Sequence, residues 1–396
     1  MIIFPGLDVG ETELRYAVEG IPKKDILVIG EPGNIKEDEN VIIDDFSDIT
    51  ALAKRIRERC PDPKYIFSLD EEYQYSKSKQ LASILNIPFP SEGILHAATN
   101  KLVMKERFRQ ENVPCAWHTS SPDEARFPCI LKTIGGISSE FLFKCMNKKE
   151  LHEKIDLIKK SHHDMRFSKR LMDGKLIDPT GIFIMEEVMS GKEISMDILL
   201  CNGKVHITRV TKKYAGPFFG YFGGFALLNP SSITNIGTSL DELTSLGKKI
   251  SKVFGIANGI CMADIMITKD GPKVIEANIR PGLAPFIHLM HKLYGYTTIS
   301  EFTKVLKGQE PSNTIPDREG IVVQLFAPHA GKIKEIDLFS GVPGHIETYR
   351  YYGKGDSVTD SLHSHHDLLL GYVIVETHEP DMVFELIQKN SRIMLE

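Results

Sequence analysis

The sequence predicts a protein of mixed α/β and α+β class with three parts. In the first part, apolar strand-like runs alternate with helix-like runs, the pattern of a parallel sheet covered by helices. In the middle, two apolar runs around a Lys-Asp-Gly turn predict a β-hairpin at 259–284. In the last part, several short strands and a closing helix predict an antiparallel α+β unit. We place the three parts at residues 1–96, 97–308 and 309–396.

The composition is that of an ordinary globular protein. Of 396 residues, 42% are hydrophobic and 26% charged, enough for two or three domains with their own cores. A net charge of -5 gives no basic surface for nucleic acid. The six cysteines form no C-x-x-C pair, which indicates reduced thiols, and we expect neither a signal peptide nor a membrane span. We therefore expect a cytoplasmic protein without nucleic-acid or membrane partners, and we leave a homodimer open.

The first part of the chain alternates strand and helix patterns. Residues 25–30, 40–44 and 65–69 are short apolar runs that predict strands, and 47–59 has apolar residues at helical spacing. The alternation predicts a small Rossmann-like domain with a parallel sheet. Acids at 70–72 follow the third strand, at the edge where such sheets bind ligands. They could equally place charge at the start of the next helix, so both interpretations stay open.

Lysines stand out in two stretches of the middle part. Residues 97–111 predict a helix on which Lys101 and Lys105 share one face. Residues 127–132 predict a strand that ends in Lys132, and a lone ammonium in such an apolar run is costly to bury. A solvated basic face is the competing interpretation for the helix.

A loop of small residues, Gly-Gly-Ile-Ser-Ser, follows Lys132 almost at once. Its backbone N–H groups and the hydroxyls of Ser138 and Ser139 could cover phosphate oxygens. The order strand, lysine and glycine loop is a stronger signal than the loop alone.

An apolar strand pattern at 181–189 contains two acids near its end. Its last four residues before a Ser-Gly turn are Glu186, Glu187, Val188 and Met189. A further acid, Glu193, lies seven residues after Glu186. An exposed acidic strand end would explain the acids but not this spacing.

The predicted hairpin at 259–284 brings oxygen ligands together. Asp264 lies inside its first apolar strand, and Glu276 and Asn278 share one face of the return strand. Hairpin pairing can set Asp264 beside them, which gives a hard-oxygen site suited to Mg²⁺, or alternatively Mn²⁺, carrying nucleotide phosphates. Arg280 follows and can reach the same anion. Outward acids on a solvated face are the alternative, and the apolar neighbours of both acids argue against it.

The ordered set of motifs resembles the ATP-grasp superfamily. The pattern D-x11-E-x-N-x-R-P-G from Asp264 is similar to that family's metal-binding end, and 97–111 resembles its entry helix. The resemblance implies ATP contacts at these residues: Lys101, Lys132, Ser138 and Ser139 for the phosphates, Glu186, Glu187, Val188 and Met189 for adenine, and Glu193 for the ribose. It implies Arg280 and Lys132 as catalytic residues, and Asp264, Glu276 and Asn278 as metal ligands.

The resemblance also implies an ATP-grasp fold with a Rossmann-like domain before it and a small α+β domain after it. The family's reaction phosphorylates a carboxylate with ATP, and an amine or other nucleophile then attacks the acyl phosphate. The expected partners are therefore small-molecule carboxylate and amine substrates, with an amino acid as the acid. One alternative is a biotin carboxylase or purine-biosynthesis type that activates bicarbonate or formate. Another is a nucleotide-binding scaffold without turnover.

Two further stretches stand outside these motifs. Residues 212–225 are rich in glycine and aromatic residues, and we expect a loop that selects the acid or amine substrate. A core-packing loop or a dimer contact is the competing interpretation. The loop from His363 to His366 contains three histidines and is a weak metal candidate.

Overall fold

The fold is that of a computed structural model, which describes residues 1–6, 15–33, 35–67, 72–135, 139, 141–161, 170–172, 175–177, 181–282, 285–312, 315–360 and 365–396. The strands are β1 (Ile2–Gly6), β2 (Ile26–Gly30), β3 (Val41–Ile43), β4 (Tyr65–Ile66), β5 (His118–Thr119), β6 (Cys129–Thr133), β7 (Phe143–Cys145), β8 (Arg170–Met172), β9 (Lys175–Ile177), β10 (Phe183–Glu187), β11 (Lys192–Cys201), β12 (Lys204–Ala215), β13 (Phe222–Leu227), β14 (Gly259–Thr268), β15 (Gly271–Asn278), β16 (Gly320–Phe326), β17 (Gly331–Asp337), β18 (His345–Arg350), β19 (Ser357–Val358), β20 (Leu369–Glu376) and β21 (Arg392–Leu395). The α-helices are α1 (Ile49–Arg59), α2 (Glu72–Leu85), α3 (Glu92–Thr99), α4 (Lys101–Gln110), α5 (Lys148–Ser161), α6 (Pro230–Asn235), α7 (Leu240–Phe254), α8 (Pro285–Tyr294), α9 (Thr298–Leu306) and α10 (Pro380–Asn390). The predicted mixed α/β and α+β class is confirmed.

The N-terminal part contains a parallel four-stranded sheet in the order β3-β2-β1-β4. Strand β1 lies inside this sheet. The sequence patterns do not predict this strand, because Pro5 weakens the strand signal. Helices α1 and α2 cover one face through residues such as Leu52 and Leu81. Helices α8 and α9 cover the other face through Ile287 and Phe302. The N-terminal sheet is therefore packed directly against the segment that follows the hairpin.

The predicted continuous helix at 97–111 is wrong, because the structure breaks it at Asn100. Asn100 has an extended backbone, and its Oδ1 accepts the backbone N–H groups of Leu102 and the next residue at 3.0 and 3.2 Å. This is an N-cap, which ends α3 and starts α4. The break makes Lys101 the first residue of α4, and its backbone N–H donates to the Ile134 carbonyl oxygen at 2.9 Å.

Two antiparallel sheets form the rest of the frame. One has four strands in the order β5-β10-β6-β7, and the other has eight in the order β15-β14-β11-β12-β13-β16-β20-β18. Strands β16, β20 and β18 come from the C-terminal part, so that part continues the central sheet. The limits of the three predicted parts stay a prediction. A smaller sheet has the order β19-β17-β21.

The central strands have one apolar and one polar face. Along β11 two sets alternate: Ile194, Met196 and Ile198 on one face, and Glu193, Ser195 and Asp197 on the other. The apolar set packs in a core cluster with residues of α7 such as Leu246 and Ile250. The polar set lies on the face that carries Asp264 of the neighbouring strand β14, opposite Ser195. This polar face forms the floor of the candidate site.

One predicted loop is shorter in the structure. Separately, β8 and β9 pair antiparallel in a two-stranded sheet. Strand β12 runs to Ala215 and β13 begins at Phe222, so only six residues of the predicted 212–225 loop lie between strands. None of the helices in the described ranges combines the length and apolar character that crossing a bilayer requires.

A cluster of titratable side chains joins the N-terminal segment, α8 and the C-terminal strands. His288 of α8 contacts Glu19 through Nδ1 at 2.6 Å and Glu347 of β18 through Nε2 at 2.8 Å. The hydroxyl of Tyr16 is hydrogen-bonded to that of Tyr372 on β20. Burial would lower the pKa of His288, but the two carboxylates outweigh burial and raise the pKa above its usual value of 6.5.

The raised pKa of His288 predicts a pH-dependent contribution to stability. A histidine whose folded pKa exceeds its unfolded pKa stabilises the fold fully below the unfolded value, and this contribution is lost as pH rises through the folded value. We expect Glu347→Gln to lower the free energy of unfolding by about 1 kcal/mol near pH 5.5, and by less near pH 9. Urea denaturation at both pH values measures this, with Glu335→Gln at an exposed position of β17 as the control. A loss that is equal at both pH values contradicts the prediction.

Candidate active site

The centre of the predicted site lies between the antiparallel four-stranded sheet β5-β10-β6-β7 and strands β11 to β15. Glu186, near the end of β10, lies between two lysines, with Lys132 Nζ at 2.6 Å from its Oε2 and Lys105 Nζ at 3.1 Å from its Oε1. The Glu186 side chain is 4% exposed and the Lys105 side chain 1%. Burial would raise the pKa of Glu186, but the two lysine charges outweigh burial and hold the pKa at about 2. The Glu186 side chain is therefore committed to these lysines, and its backbone is what remains for a nucleotide.

Lys105 of α4 connects the antiparallel four-stranded sheet to the β14–β15 hairpin. Its Nζ also donates to the carbonyl oxygen of Ile275 in β15 at 2.7 Å. In the sequence, Lys105 stands out only as a neighbour of Lys101 on one helix face. The signal that could have separated them is the position of Lys105 beside Met104 and Phe108, both of which are buried. Lys105 is thus an internal cation, whereas Lys101 is half-buried at the start of α4.

A second ion triad lies on the floor of the site. Lys213 of β12 contacts Glu193 Oε1 at 2.9 Å and Asp264 Oδ2 at 2.8 Å. Burial would lower the pKa of Lys213, but Asp264 and Glu193 raise it, so the lysine stays charged. Burial raises the pKa of Glu193, and Lys213 only partly opposes this. Sequence reasoning missed Lys213, although its alternation with Arg209 and Thr211 along β12 marks it as facing the same side.

The hairpin sets the predicted metal ligands side by side. Asp264 lies opposite Glu276, and Asn278 lies opposite Met262 in the β14–β15 register. Within the described ranges, the buried Oδ1 of Asp264 has no hydrogen-bond partner. A buried carboxylate oxygen without a donor is the arrangement that a cation would satisfy. The residues present therefore fit a divalent metal.

The charges around Glu276 match an anionic ligand bound with a cation. Burial would raise the pKa of Glu276, but the charges of Lys101, Lys132 and Lys213 outweigh burial and lower it. The carboxylate is therefore ionised and surrounded by lysines on several elements. Across the described part of the chain, no three His, Cys, Asp or Glu side chains converge as a metal cluster. A metal here would rely on two carboxylates, an amide and the oxygens of its ligand.

Arg280 lies in the turn that follows β15. Its guanidinium Nη1 donates to the Pro281 carbonyl oxygen at 3.2 Å, and the backbone N–H of Gly282 donates to Asp197 Oδ1 at 2.8 Å. Arg280 is half-buried at the end of the strand that carries Glu276 and Asn278. The backbone of Arg280 therefore lies two residues beyond Asn278, the last of the predicted metal ligands.

The remaining predicted residues are distributed around this centre. Ser139 Oγ donates to the Gly220 carbonyl oxygen at 2.7 Å, whereas Ser138 lies outside the described residues. Glu187 is exposed, with Lys273 Nζ at 3.7 Å from its Oε2. The connection between β10 and β11 carries the half-buried residues Val188 and Met189. Residues 363 and 364 of the His363 to His366 loop also lie outside the described residues.

The aromatic residues of the stretch at 212–225 have different environments. Phe218 stacks on the His365 ring at 4.2 Å between centroids, and the Tyr221 hydroxyl accepts the His365 backbone N–H at 2.9 Å. Tyr214 stacks on Phe384 of α10. These residues therefore pack the C-terminal part against the sheet, as the competing interpretation holds. Phe219 differs, since 53% of it is exposed.

Comparison with known proteins agrees with this geometry. A family model described as an ATP-grasp domain matches residues 125–283. The L-arginine-specific L-amino acid ligase of Bacillus subtilis is 23% identical over an alignment of 356 residues, and the alignment covers 86% of this chain and 82% of the ligase.

Solved structures share the whole fold. The crystal structure of an L-amino acid ligase from Bacillus licheniformis superposes with a TM-score of 0.76 at 15% identity, over 100% of this chain and 98% of that chain. The biotin carboxylase domain of a Hydrogenobacter thermophilus carboxylase, solved with MgADP and bicarbonate, gives 0.67 at 14% identity, over 100% and 90%. The chain therefore contains an ATP-grasp domain and has the ATP-grasp fold that its motifs implied.

Proposed function

We propose that this protein is an ATP-dependent carboxylate–amine ligase that phosphorylates an amino acid carboxylate and couples it to an amine, releasing ADP and phosphate. One observation carries the proposal: the paired carboxylates Asp264 and Glu276, with an orphaned buried oxygen, lie among lysines on three other elements. Two carboxylates suit a divalent cation, and surrounding lysines suit polyphosphate. Simple apolar packing or a solvated face explains neither feature.

The proposed chemistry needs positioning and charge more than a side-chain nucleophile. Mg²⁺, held by Asp264, Glu276 and Asn278, would supply shielding and polarisation of the phosphate oxygens. Lys132 and Arg280 neutralise the negative charge that develops as the phosphoryl group transfers. The carboxylate substrate gains the phosphoryl group, and the amine then displaces phosphate to form the new C–N bond.

The nucleoside end of ATP is assigned to the β10–β11 connection. We propose that backbone groups from Glu186 to Met189 contact adenine, since the Glu186 side chain is occupied by Lys105 and Lys132. Glu193 would hold the ribose hydroxyls, and Lys101 and the Ser138–Ser139 loop the phosphates. A cytoplasmic setting fits the six free cysteines, because such thiols persist where disulfides are reduced.

The choice of acid and amine follows the relatives rather than the site alone. The Bacillus subtilis relative is named an L-arginine-specific L-amino acid ligase, which supports an amino acid as the substrate here. The biotin carboxylase neighbour supports the alternative, in which bicarbonate is activated. Incubation with ATP, Mg²⁺ or Mn²⁺ and either an amino acid panel or bicarbonate separates the two, read as ADP release with product mass. ADP release that no acid stimulates would leave only a nucleotide-binding scaffold.

The metal assignment predicts a large effect of one charge. Asp264→Asn should lower kcat/KM for ADP release at least about 100-fold, because it removes a ligand charge from the cation. Asp270→Asn, at the exposed turn of the same hairpin, is the matched control and should stay within twofold of wild type. Thermal denaturation of both variants checks that the hairpin still folds. Equal activity in the two variants would disprove the assignment.

The ribose assignment predicts a different kinetic signature. Glu193→Ala should raise the KM for ATP about tenfold and change kcat little, since ribose contacts are equally strong in ground and transition states. Steady-state kinetics with varied ATP at saturating Mg²⁺ measure both constants. If kcat collapses while KM holds, Glu193 acts through Lys213 and Asp264 rather than on the ribose.

We propose two different roles for residues of the aromatic stretch at 212–225. Phe219→Ala should change which acids or amines stimulate ADP release without lowering the melting temperature, because Phe219 is exposed. Phe218→Ala should instead destabilise the fold by about 1 to 2 kcal/mol and leave the substrate profile intact, because Phe218 packs on His365. A substrate profile unchanged in Phe219→Ala would assign the entire stretch to packing.

A further inference from the structure

Beneath the candidate site, one ion pair is fully buried. Arg209 of β12 and Asp197 of β11 are 0% and 1% exposed, with Arg209 Nη2 at 2.7 Å from Asp197 Oδ1. Arg209 also donates to Thr211 Oγ1 at 2.6 Å and to Ser195 Oγ at 3.0 Å. Burying two such charges costs several kcal/mol per ion, and apolar residues of similar volume often serve stability as well or better. Stability alone is therefore a poor explanation of this pair.

The contacts of Asp197 point to the turn after the hairpin. Its Oδ1 accepts the backbone N–H of Gly282 at 2.8 Å, two residues beyond Arg280. Its Oδ2 accepts the hydroxyl of Thr298, the first residue of α9, at 2.8 Å. One carboxylate therefore fixes the turn after Arg280 and the start of α9, on either side of α8.

Arg209, which forms the ion pair with Asp197, connects the same turn to the β14–β15 hairpin. The Ser195 that Arg209 contacts lies opposite Asp264 in the β11–β14 register. Arg209 and Asp197 are themselves opposite each other in the β11–β12 register. The pair thus links the strand beside Asp264 to the backbone that presents Arg280, through groups that are almost wholly excluded from water.

We propose that Asp197, held by Arg209, is a positioning residue that sets the Arg280 turn for phosphoryl transfer. The inference rests on the proposed function, because it assigns Arg280 a role in that reaction. Asp197 acts through the backbone of Gly282 and touches neither substrate nor nucleotide. Its charge orients the turn in advance, so that the guanidinium needs no reorganisation when negative charge develops.

A matched pair of threonines tests the inference without removing a buried charge. Thr298→Val deletes a hydrogen bond to Asp197, while Thr208→Val deletes only the Thr208–Thr298 hydroxyl contact, which is 2.9 Å long and equally buried. We expect Thr298→Val to lower kcat about tenfold at unchanged KM for ATP, and Thr208→Val to stay within twofold.

A double-mutant cycle with Arg280→Ala separates positioning from simple destabilisation. If Asp197 acts through Arg280, Thr298→Val should lower kcat less than twofold in the Arg280→Ala background. An equal loss in both backgrounds overturns the inference. A loss of similar size in Thr208→Val also overturns it, since the hydrogen bond described for the Thr208 hydroxyl goes to Thr298 and not to Asp197.

Hydrogen exchange at the Gly282 amide keeps the two proposals distinguishable. Exchange should be at least about fivefold faster in Thr298→Val than in wild type, and unchanged in Thr208→Val. Equal rates in the two variants overturn the anchoring. A wild type that releases no ADP with any acid overturns the proposed function and the catalytic part of the inference, whereas an active wild type with additive losses overturns the inference alone.

Discussion

The alternation of side chains across one antiparallel sheet is the constraint on which the site depends. Neighbouring residues of β11, β12 and β14 point to opposite faces, so a single run of chain supplies both the core and the charged floor. Every charge on that floor must find a partner, since water has little access. On the floor the ion triad around Lys213 meets this demand before any ligand binds, and the triad around Glu186 does the same at the neighbouring sheet. Binding of a nucleotide would therefore exchange partners within an existing network.

Local pattern predicted the features in which one residue and its near neighbours decide the outcome. The hairpin follows from a Lys-Asp-Gly turn between apolar strands, so Asp264 opposite Glu276 was accessible from spacing alone. Lys132 at the end of an apolar strand was expected to need an anion, and Glu186 supplies it. The family resemblance added the order of the motifs, which periodicity does not contain.

Contacts between distant segments were not accessible in the same way. Lys105 reaches a carbonyl oxygen of β15 from α4, and Asp197 reaches the turn at Gly282; no local pattern encodes either pairing. The pattern of apolar residues does not predict the break at Asn100, because helices tolerate an asparagine. Here the side-chain oxygen of Asn100 accepts the backbone N–H of Leu102, which caps a new helix. Strand β1 was missed because a proline weakens the signal that burial then overrides.

The continuation of the central sheet into the C-terminal strands has a consequence for how the chain can be divided. Strand β13 is hydrogen-bonded along one side to β12 and along the other to β16, which comes from the last part of the chain. Cutting the chain before β16 would turn β13 into an unprotected edge with open backbone donors and acceptors. Such an edge favours pairing with other chains, so an isolated nucleotide-binding fragment would be prone to aggregate. The C-terminal part therefore covers an edge of the central sheet through the pairing of β16 with β13. An exchange of this part between related proteins would have to preserve that strand pairing.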